Sequence, residues 1–81
     1  MSRLIAAHFP LLATAIAMYW REHEYAPSFS DLCRSTRTSS TSVLSYRLDA
    51  MRDAGYVRFA DGVARTIRLT EAGEQLAMVN A

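Results

Sequence analysis

The sequence contains one cysteine and no lysine, and both scarcities narrow the possible functions. Cys33 cannot form a disulfide within the chain, and we expect it to be a small buried apolar residue. Arginine supplies all nine basic side chains; it suits bidentate contacts with phosphate or guanine, although a genomic composition bias would remove lysine equally well. The net charge is only +1, so a basic surface must come from uneven placement of the charges.

Catalytic and metal-binding patterns are also missing. His8 and His23 lack ligand spacing to each other or to Cys33. The Glu-His-Glu run at 22–24 has Pro27 where a metalloprotease helix needs its second histidine. We find no nucleophile–base pair and no glycine-rich phosphate loop. We therefore expect no enzymatic activity, no metal and no cofactor.

No hydrophobic run is long enough to span a membrane. The apolar segment 4–18 is too short, and Pro10 interrupts it. The segment also fits a secretory signal peptide, but cleavage would remove the first helix, on which the rest of this small chain must pack. We expect a single domain over residues 1–81, located in the cytoplasm.

Acidic residues are absent between Leu32 and Leu48. This segment holds Arg34, Arg37 and Arg47, eight serine or threonine hydroxyls and one tyrosine. Arginine forks and hydroxyl donors both bind phosphate oxygens. Because the segment lies between two helical patterns, it predicts the basic corner of a DNA-binding helix-turn-helix; a solvated Ser/Thr-rich loop is the alternative.

Local start and stop signals predict three helices. The first covers about residues 10–24, from Pro10 to the Ala-Pro pair at 26–27. The second covers about residues 29–35, after a capping box formed by Ser28 and Asp31. The third has Ser40 as its N-cap, runs to residue 54 and is ended by Gly55.

A hairpin and a last helix follow. Apolar residues alternate with others at 57–60 and 66–69, around an Asp-Gly turn at 61–62. For the apolar residues to share one face, the loop must hold an odd number of residues. Pairing Phe59 with Ile67 gives a five-residue tip at 61–65, and pairing Val57 with Ile67 gives a three-residue tip.

In the first register Arg58 and Arg68 stand side by side on the exposed face, which is unfavourable unless an anion lies nearby. Thr70 can cap a helix over about residues 71–79, with Ala72, Leu76 and Val79 facing inward. The predicted core consists of Leu12, Ile16, Trp20, Phe29, Leu32, Leu44, Leu48, Met51, Val57, Ile67 and Leu69.

This order of elements is that of a winged helix-turn-helix: an α+β fold, mainly α, with a three-helix core, a two-stranded wing and a C-terminal helix. From residue 27 to 69 the sequence resembles the N-terminal DNA-binding domain of the LexA repressor. The matching features are Pro27-Ser28, Ser40, the residues Leu48, Ala50 and Gly55, and the wing Gly-Val-Ala-Arg-Thr-Ile-Arg-Leu at 62–69. Residues 69–74 are similar to the wing-to-helix junction of other winged-helix regulators.

The resemblance implies that the third helix enters the major groove of DNA. By position, the base-reading residues would be Ser40, Ser42, Val43, Ser45 and Tyr46. LexA readers are richer in amide and carboxylate side chains, so the operator sequence does not transfer. Arg37 stands where such turns often have glycine. The 81 residues show no self-cleaving peptidase domain, so regulation by cleavage is not implied.

The expected function is sequence-specific binding of double-stranded DNA by a small transcriptional repressor. Phosphate contacts are assigned to Arg34, Arg37, Thr38, Ser39, Arg47, Arg58, Arg65 and Arg68. Because the first helix is apolar on two faces, we expect a homodimer through Leu4, Ile5, Phe9, Leu11, Ala15, Met18, Met78 and Val79. The alternative is a winged-helix protein–protein interaction module with weak or no DNA binding.

Overall fold

The computed structural model describes residues 7–79, apart from the side chain of Val79. It consists of α1 (Phe9–His23), α2 (Phe29–Thr36), α3 (Thr41–Asp53), β1 (Val57–Arg58), β2 (Arg68–Leu69) and α4 (Glu71–Val79). The two strands form one antiparallel hairpin. This arrangement confirms the predicted winged helix-turn-helix.

Backbone capping explains the boundaries of α1 and α2. Pro10 lies in the first turn of α1, and Glu24 ends that helix in the left-handed conformation, with φ 63°. The predicted capping box is present at α2: the Ser28 hydroxyl accepts the Asp31 N–H at 3.0 Å, and the Asp31 carboxylate accepts the Ser28 N–H at 2.9 Å. Arg37 ends α2 with φ 55°, so the turn keeps the glycine-type geometry at a cost of about 1–2 kcal/mol.

The third helix begins and ends where local signals place it. The Ser40 hydroxyl accepts the N–H groups of Ser42 at 3.1 Å and Val43 at 3.5 Å. Gly55 follows the helix with φ 88°, which favours glycine. The predicted stripe, Leu44, Leu48 and Met51, is completely buried. It therefore directs the opposite side of α3 to the surface.

Of the two predicted registers, the wing adopts the one with the five-residue tip. Val57 pairs with Leu69, and Arg58 pairs with Arg68. The ladder stops there, so Phe59 and Ile67 lie outside it. A side-chain contact replaces the missing backbone pairs: the Thr66 hydroxyl accepts the Ala60 N–H at 2.9 Å.

The inward face of α4 differs from the prediction. Ala72 is exposed, whereas Gly73 and Ala77 are buried and Leu76 is half-buried. The buried face of α4 is rotated relative to the predicted one because Gly73 lets the helix backbone approach the carbonyl of Tyr56 and the side chain of Leu69. Thr70 caps the helix as expected, since its hydroxyl accepts the Gly73 N–H at 3.2 Å.

The core contains most of the predicted residues, with two kinds of correction. Trp20, Phe29 and Leu69 are half-buried at its edge. Phe9, which was assigned to a dimer surface, is only 5% exposed and belongs to the core together with Ala13 and Ala77. Its ring packs edge-on against Tyr56, at a centroid distance of 5.7 Å. Cys33, expected to be buried, is half-buried.

Across residues 7–79, no helix is both long and apolar enough to cross a membrane.

Candidate nucleic-acid interface

The exposed side of α3 carries an unbroken row of polar side chains. Ser42, Ser45, Tyr46 and Asp49 recur at three- and four-residue intervals, so they share one face. Together with Phe29 and Thr41 they line an open depression of about 510 Å³. Tyr46 is 63% exposed. This face offers hydroxyl groups and one carboxylate to a partner that fits against a convex helix.

Two of the predicted base-reading residues lie at the margin of this face or outside it. The hydroxyl oxygen of Ser40 already accepts two backbone N–H groups as the N-cap of α3. Val43 is 41% exposed; at about 100° per residue it lies nearly opposite Ser45 but one helical turn before Tyr46, so it borders this face on the Tyr46 side. The geometry therefore groups Ser42, Ser45 and Tyr46, with Val43 at the margin and Ser40 outside.

Four of the predicted phosphate-binding arginines have free guanidinium groups. Within the described part of the chain, Arg34, Arg37, Arg47 and Arg58 form no side-chain hydrogen bond or ion pair; Arg47 is half-buried and the others are exposed. Arg34 and Arg37 belong to α2 and its turn, directly before the N-terminus of α3. An anion could therefore be bound there without breaking an existing contact.

The two hydroxyl residues assigned to phosphate differ. The Thr38 hydroxyl is paired with that of Thr36 at 2.8 Å. Ser39 is exposed at the turn. Of these two residues, Ser39 is the one whose hydroxyl has no partner among residues 7–79.

Arg65, at the end of the hairpin tip, is hydrogen-bonded to the helical part of the domain. Its Nη1 donates to the carbonyl of Ala26 at 3.0 Å, to the carboxylate of Asp31 at 3.2 Å and to the hydroxyl of Tyr19 at 3.3 Å. The guanidinium also lies 5.0 Å from the ring centre of Tyr25. Arg65 thus ties the wing to the connection between α1 and α2 through its Nη1 group.

The Asp31 carboxylate is strongly stabilised in its ionised form. Its pKa is lowered from 3.8 to about 2, first by the backbone hydrogen bond from Ser28. Hydrogen bonds from the Tyr19 and Ser28 hydroxyls and the charge of Arg65 act in the same direction. A negative charge therefore faces Arg65 at neutral pH.

Arg68 points to another part of the molecule. Its guanidinium carbon lies 5.8 Å from the ring centre of Trp20. It lines a groove between α1 and α4, together with Met18, Ala77 and Met78. The register that sets it beside Arg58 does not bring it to the polar face of α3.

Arg52, which no sequence pattern singles out, links α3 to the wing. Its Nη1 donates to the Asp61 carboxylate at 2.9 Å and to the carbonyl of Phe59 at 3.3 Å, and its Nη2 donates to Asp49 at 3.2 Å. Its guanidinium carbon lies 4.1 Å from the ring centre of Phe59. The i,i+3 spacing of Asp49 and Arg52 is the one sign of these contacts in the sequence; the wing contacts depend on the fold.

The proposed dimer surface is reduced by the structure. Leu11 is 49% exposed, Met18 60% and Met78 76%. Ala15 is half-buried against the core, and Phe9 is inside it. Leu4, Ile5 and the side chain of Val79 lie outside the described residues.

The described residues contain no evident metal site. Among residues 7–79, no group of three or more histidine, cysteine, aspartate or glutamate side chains could hold a metal ion.

Comparison with known proteins identifies the family of this fold. The family model described as the LexA DNA binding domain matches residues 2–66. The LexA repressor of Herpetosiphon aurantiacus is 36% identical over 64 residues, which cover 79% of this chain and 30% of that protein. The transcription regulator LexA of Synechocystis sp. is 35% identical over 54 residues, covering 67% of this chain and 27% of that protein. No solved structure matches the chain significantly.

Proposed function

Because the chain belongs to the family of LexA DNA-binding domains, we propose that it binds double-stranded DNA sequence-specifically and represses transcription. The chain spans about 30% of the length of the curated relatives it matches. Repression, the operator and any dimer are therefore proposals. The family model that matches residues 2–66 is that of a DNA-binding domain, and this match supports DNA binding by the chain.

The polar face of α3 is the observation that carries the proposal. The side chains of Ser42, Ser45 and Tyr46 have no hydrogen-bond partner among residues 7–79. A winged helix-turn-helix inserts this helix into the major groove, where hydroxyl groups donate to and accept from base edges. Serine discriminates less sharply than an amide or arginine, so we expect moderate specificity, helped by DNA shape and bridging water.

Val43 and Ser40 are expected to contribute less to base reading than Ser42, Ser45 and Tyr46. Val43 lies on the flank of α3, where it can rest against a thymine methyl group if the helix is tilted in the groove. Ser40 acts through its cap, which fixes the first turn of α3.

Selection of binding sites from random duplexes tests the reading role. A variant with Ser42→Ala and Ser45→Ala should fold normally and prefer a different base at one or two positions in each half-site. Gln75→Ala, on the exposed side of α4, is the control and should select the wild-type sequence. If the double variant keeps both the preferred sequence and the affinity, α3 is not the reader and the protein-interaction alternative gains support.

Phosphate binding is proposed for the free arginines, Arg34, Arg37, Arg47 and Arg58, with Ser39 and Thr38 beside them. Each Arg→Ala substitution should weaken specific and random duplexes alike and reduce the slope of log K against log salt by about one unit. Arg65 and Arg68 are not included among the proposed phosphate contacts. Arg65 is hydrogen-bonded to Asp31, and Arg68 lies against the ring of Trp20.

We also propose a homodimer that uses the exposed apolar residues Leu11, Met18 and Met78. A two-fold pair would match the paired half-sites that helix-turn-helix proteins commonly bind. Light scattering after size exclusion measures the mass directly. A dimer mass at tens of micromolar supports this proposal, and a monomer mass contradicts it without affecting DNA binding by α3.

A further inference from the structure

We infer that Arg52 and Arg65 are positioning residues that hold the wing in a fixed orientation to α3, so that both elements meet DNA as one preformed surface. This inference rests on the proposed function. It assigns to Arg65 a role other than phosphate binding, and it gives Arg52 a role that the sequence did not indicate.

The hairpin cannot fix its own orientation. Its ladder consists of two residue pairs, Val57 with Leu69 and Arg58 with Arg68. An isolated two-stranded hairpin has marginal stability in water, and this one is shorter than ordinary strands. Contacts from outside the ladder must therefore determine where the tip at 61–65 lies.

Arg52 holds the first side of that tip. Its guanidinium bonds the Asp61 carboxylate and the Phe59 carbonyl, and it stacks on the Phe59 ring. A further bond to Asp49 fixes the same guanidinium to α3. The Phe59 ring in turn packs edge-on against Phe29 of α2, at 5.9 Å. This side of the tip is therefore attached to both helices of the helix-turn-helix.

Arg65 holds the second side. Its guanidinium reaches three acceptors on α1, on α2 and on the connection between them: Tyr19, Asp31 and the Ala26 carbonyl. The Asp31 carboxylate is itself fixed by the Ser28 N–H and is only 16% exposed. Arg65 adopts a left-handed conformation, with φ 59°, which is uncommon for a residue with a side chain and persists where surrounding contacts maintain it.

A preformed wing lowers the cost of binding. A loose wing must be ordered when DNA binds, and ordering each mobile side chain or loop weakens the complex. Arginine suits the task because its planar fork loses less freedom per hydrogen bond than a lysine does. Freeing either side of the tip should therefore weaken specific binding about threefold to tenfold, the range expected for one or two side chains that become mobile.

The direction in which an Asp→Asn substitution changes the DNA affinity distinguishes a positioning role from a simple effect of charge. Removing a negative charge near bound DNA should tighten binding if charge alone matters. If Asp61 serves to hold Arg52, Asp61→Asn should instead weaken binding. Asp61 is 79% exposed, so the substitution should leave the fold intact. Asp53→Asn is the matched control, because Asp53 is exposed at the end of α3 and forms no side-chain hydrogen bond or ion pair among residues 7–79.

Two measurements on the 81-residue chain decide the inference. The affinity for the selected duplex should fall for Asp61→Asn and not for Asp53→Asn. Arg65→Lys, which keeps the charge, should also weaken binding while leaving the salt slope unchanged. Heteronuclear NOE values of the Gly62 and Val63 amides in the free protein should drop in Asp61→Asn and in Arg65→Lys.

Unchanged amide NOE values in both variants, or tighter binding by Asp61→Asn, would overturn the positioning role. The NOE readout needs no DNA. A wild-type protein that fails to bind any duplex would therefore refute the proposed function and still leave the wing attachment testable.

Discussion

Alanine at Gly73 should destabilise the domain, although alanine is the better helix former. A methyl group at this position would overlap the carbonyl oxygen of Tyr56 and would lie 3.0 Å from Cδ2 of Leu69. The Tyr56 carbonyl cannot easily withdraw, since it accepts the Thr70 N–H at 3.0 Å. Relief therefore requires α4 to move away from the hairpin and from α1.

The magnitude follows from two opposing effects. Replacing glycine by alanine in a helix gains about 1 kcal/mol of intrinsic propensity. Overpacking a tight contact costs about 1–3 kcal/mol, and the upper end applies because the obstructing atom belongs to the backbone. The net loss should be about 1–2 kcal/mol, which lowers the melting temperature of a domain of this size by roughly 5–15 °C.

Urea unfolding followed by circular dichroism measures this loss. Ala72→Gly is the control on the exposed side of the same helix and should cost about 0.5–1 kcal/mol through propensity alone. If Gly73→Ala instead stabilises the protein by an amount similar to the loss in the control, α4 does not pack on the hairpin as described.

Three further predictions concern the core, the Asp31 carboxylate and the turn after α2. Leu48 is completely buried, so Leu48→Ala should cost about 2–5 kcal/mol in urea unfolding; little change would mean that α3 is wrongly phased. Because the folded-state pKa of Asp31, about 2, lies below its ordinary 3.8, its contribution is complete above the ordinary value and is lost as pH falls towards 2. Between pH 5 and pH 2 the unfolding free energy should therefore fall by about 1–2 kcal/mol more in the wild type than in Asp31→Asn; parallel curves would contradict the pKa shift. Arg37→Gly should relieve the left-handed strain and raise stability by up to about 1 kcal/mol, while duplex affinity drops and the salt slope decreases by about one unit; unchanged affinity would remove Arg37 from the phosphate-binding group.

Local signals made much of the fold predictable. The Ser28–Asp31 capping box, the Ser40 cap and Gly55 each act within a few residues, so sequence alone located α2 and α3. The parity of the apolar residues restricted the hairpin to two registers, and the pairing of Val57 with Leu69 selects one of them.

Contacts between distant residues account for the errors. The phase of α4 depends on the approach of Gly73 to Tyr56, which no helical pattern reveals. Phe9 is buried because it meets the Tyr56 ring across the fold. The acceptors of Arg65 lie 34 to 46 positions earlier in the sequence. The sequence alone therefore does not show that this wing arginine is hydrogen-bonded to the helices.

The central claim is that α3 and the free arginines beside it bind duplex DNA. Fluorescence anisotropy with a selected duplex and a scrambled one, between about 50 and 200 mM salt, tests it most directly. We predict tighter binding of the selected duplex and a log K that falls linearly with log salt, with a slope of about −3 to −4 for contacts by Arg34, Arg37, Arg47 and Arg58. Absence of binding to both duplexes, or an affinity that does not change with salt, would contradict the account.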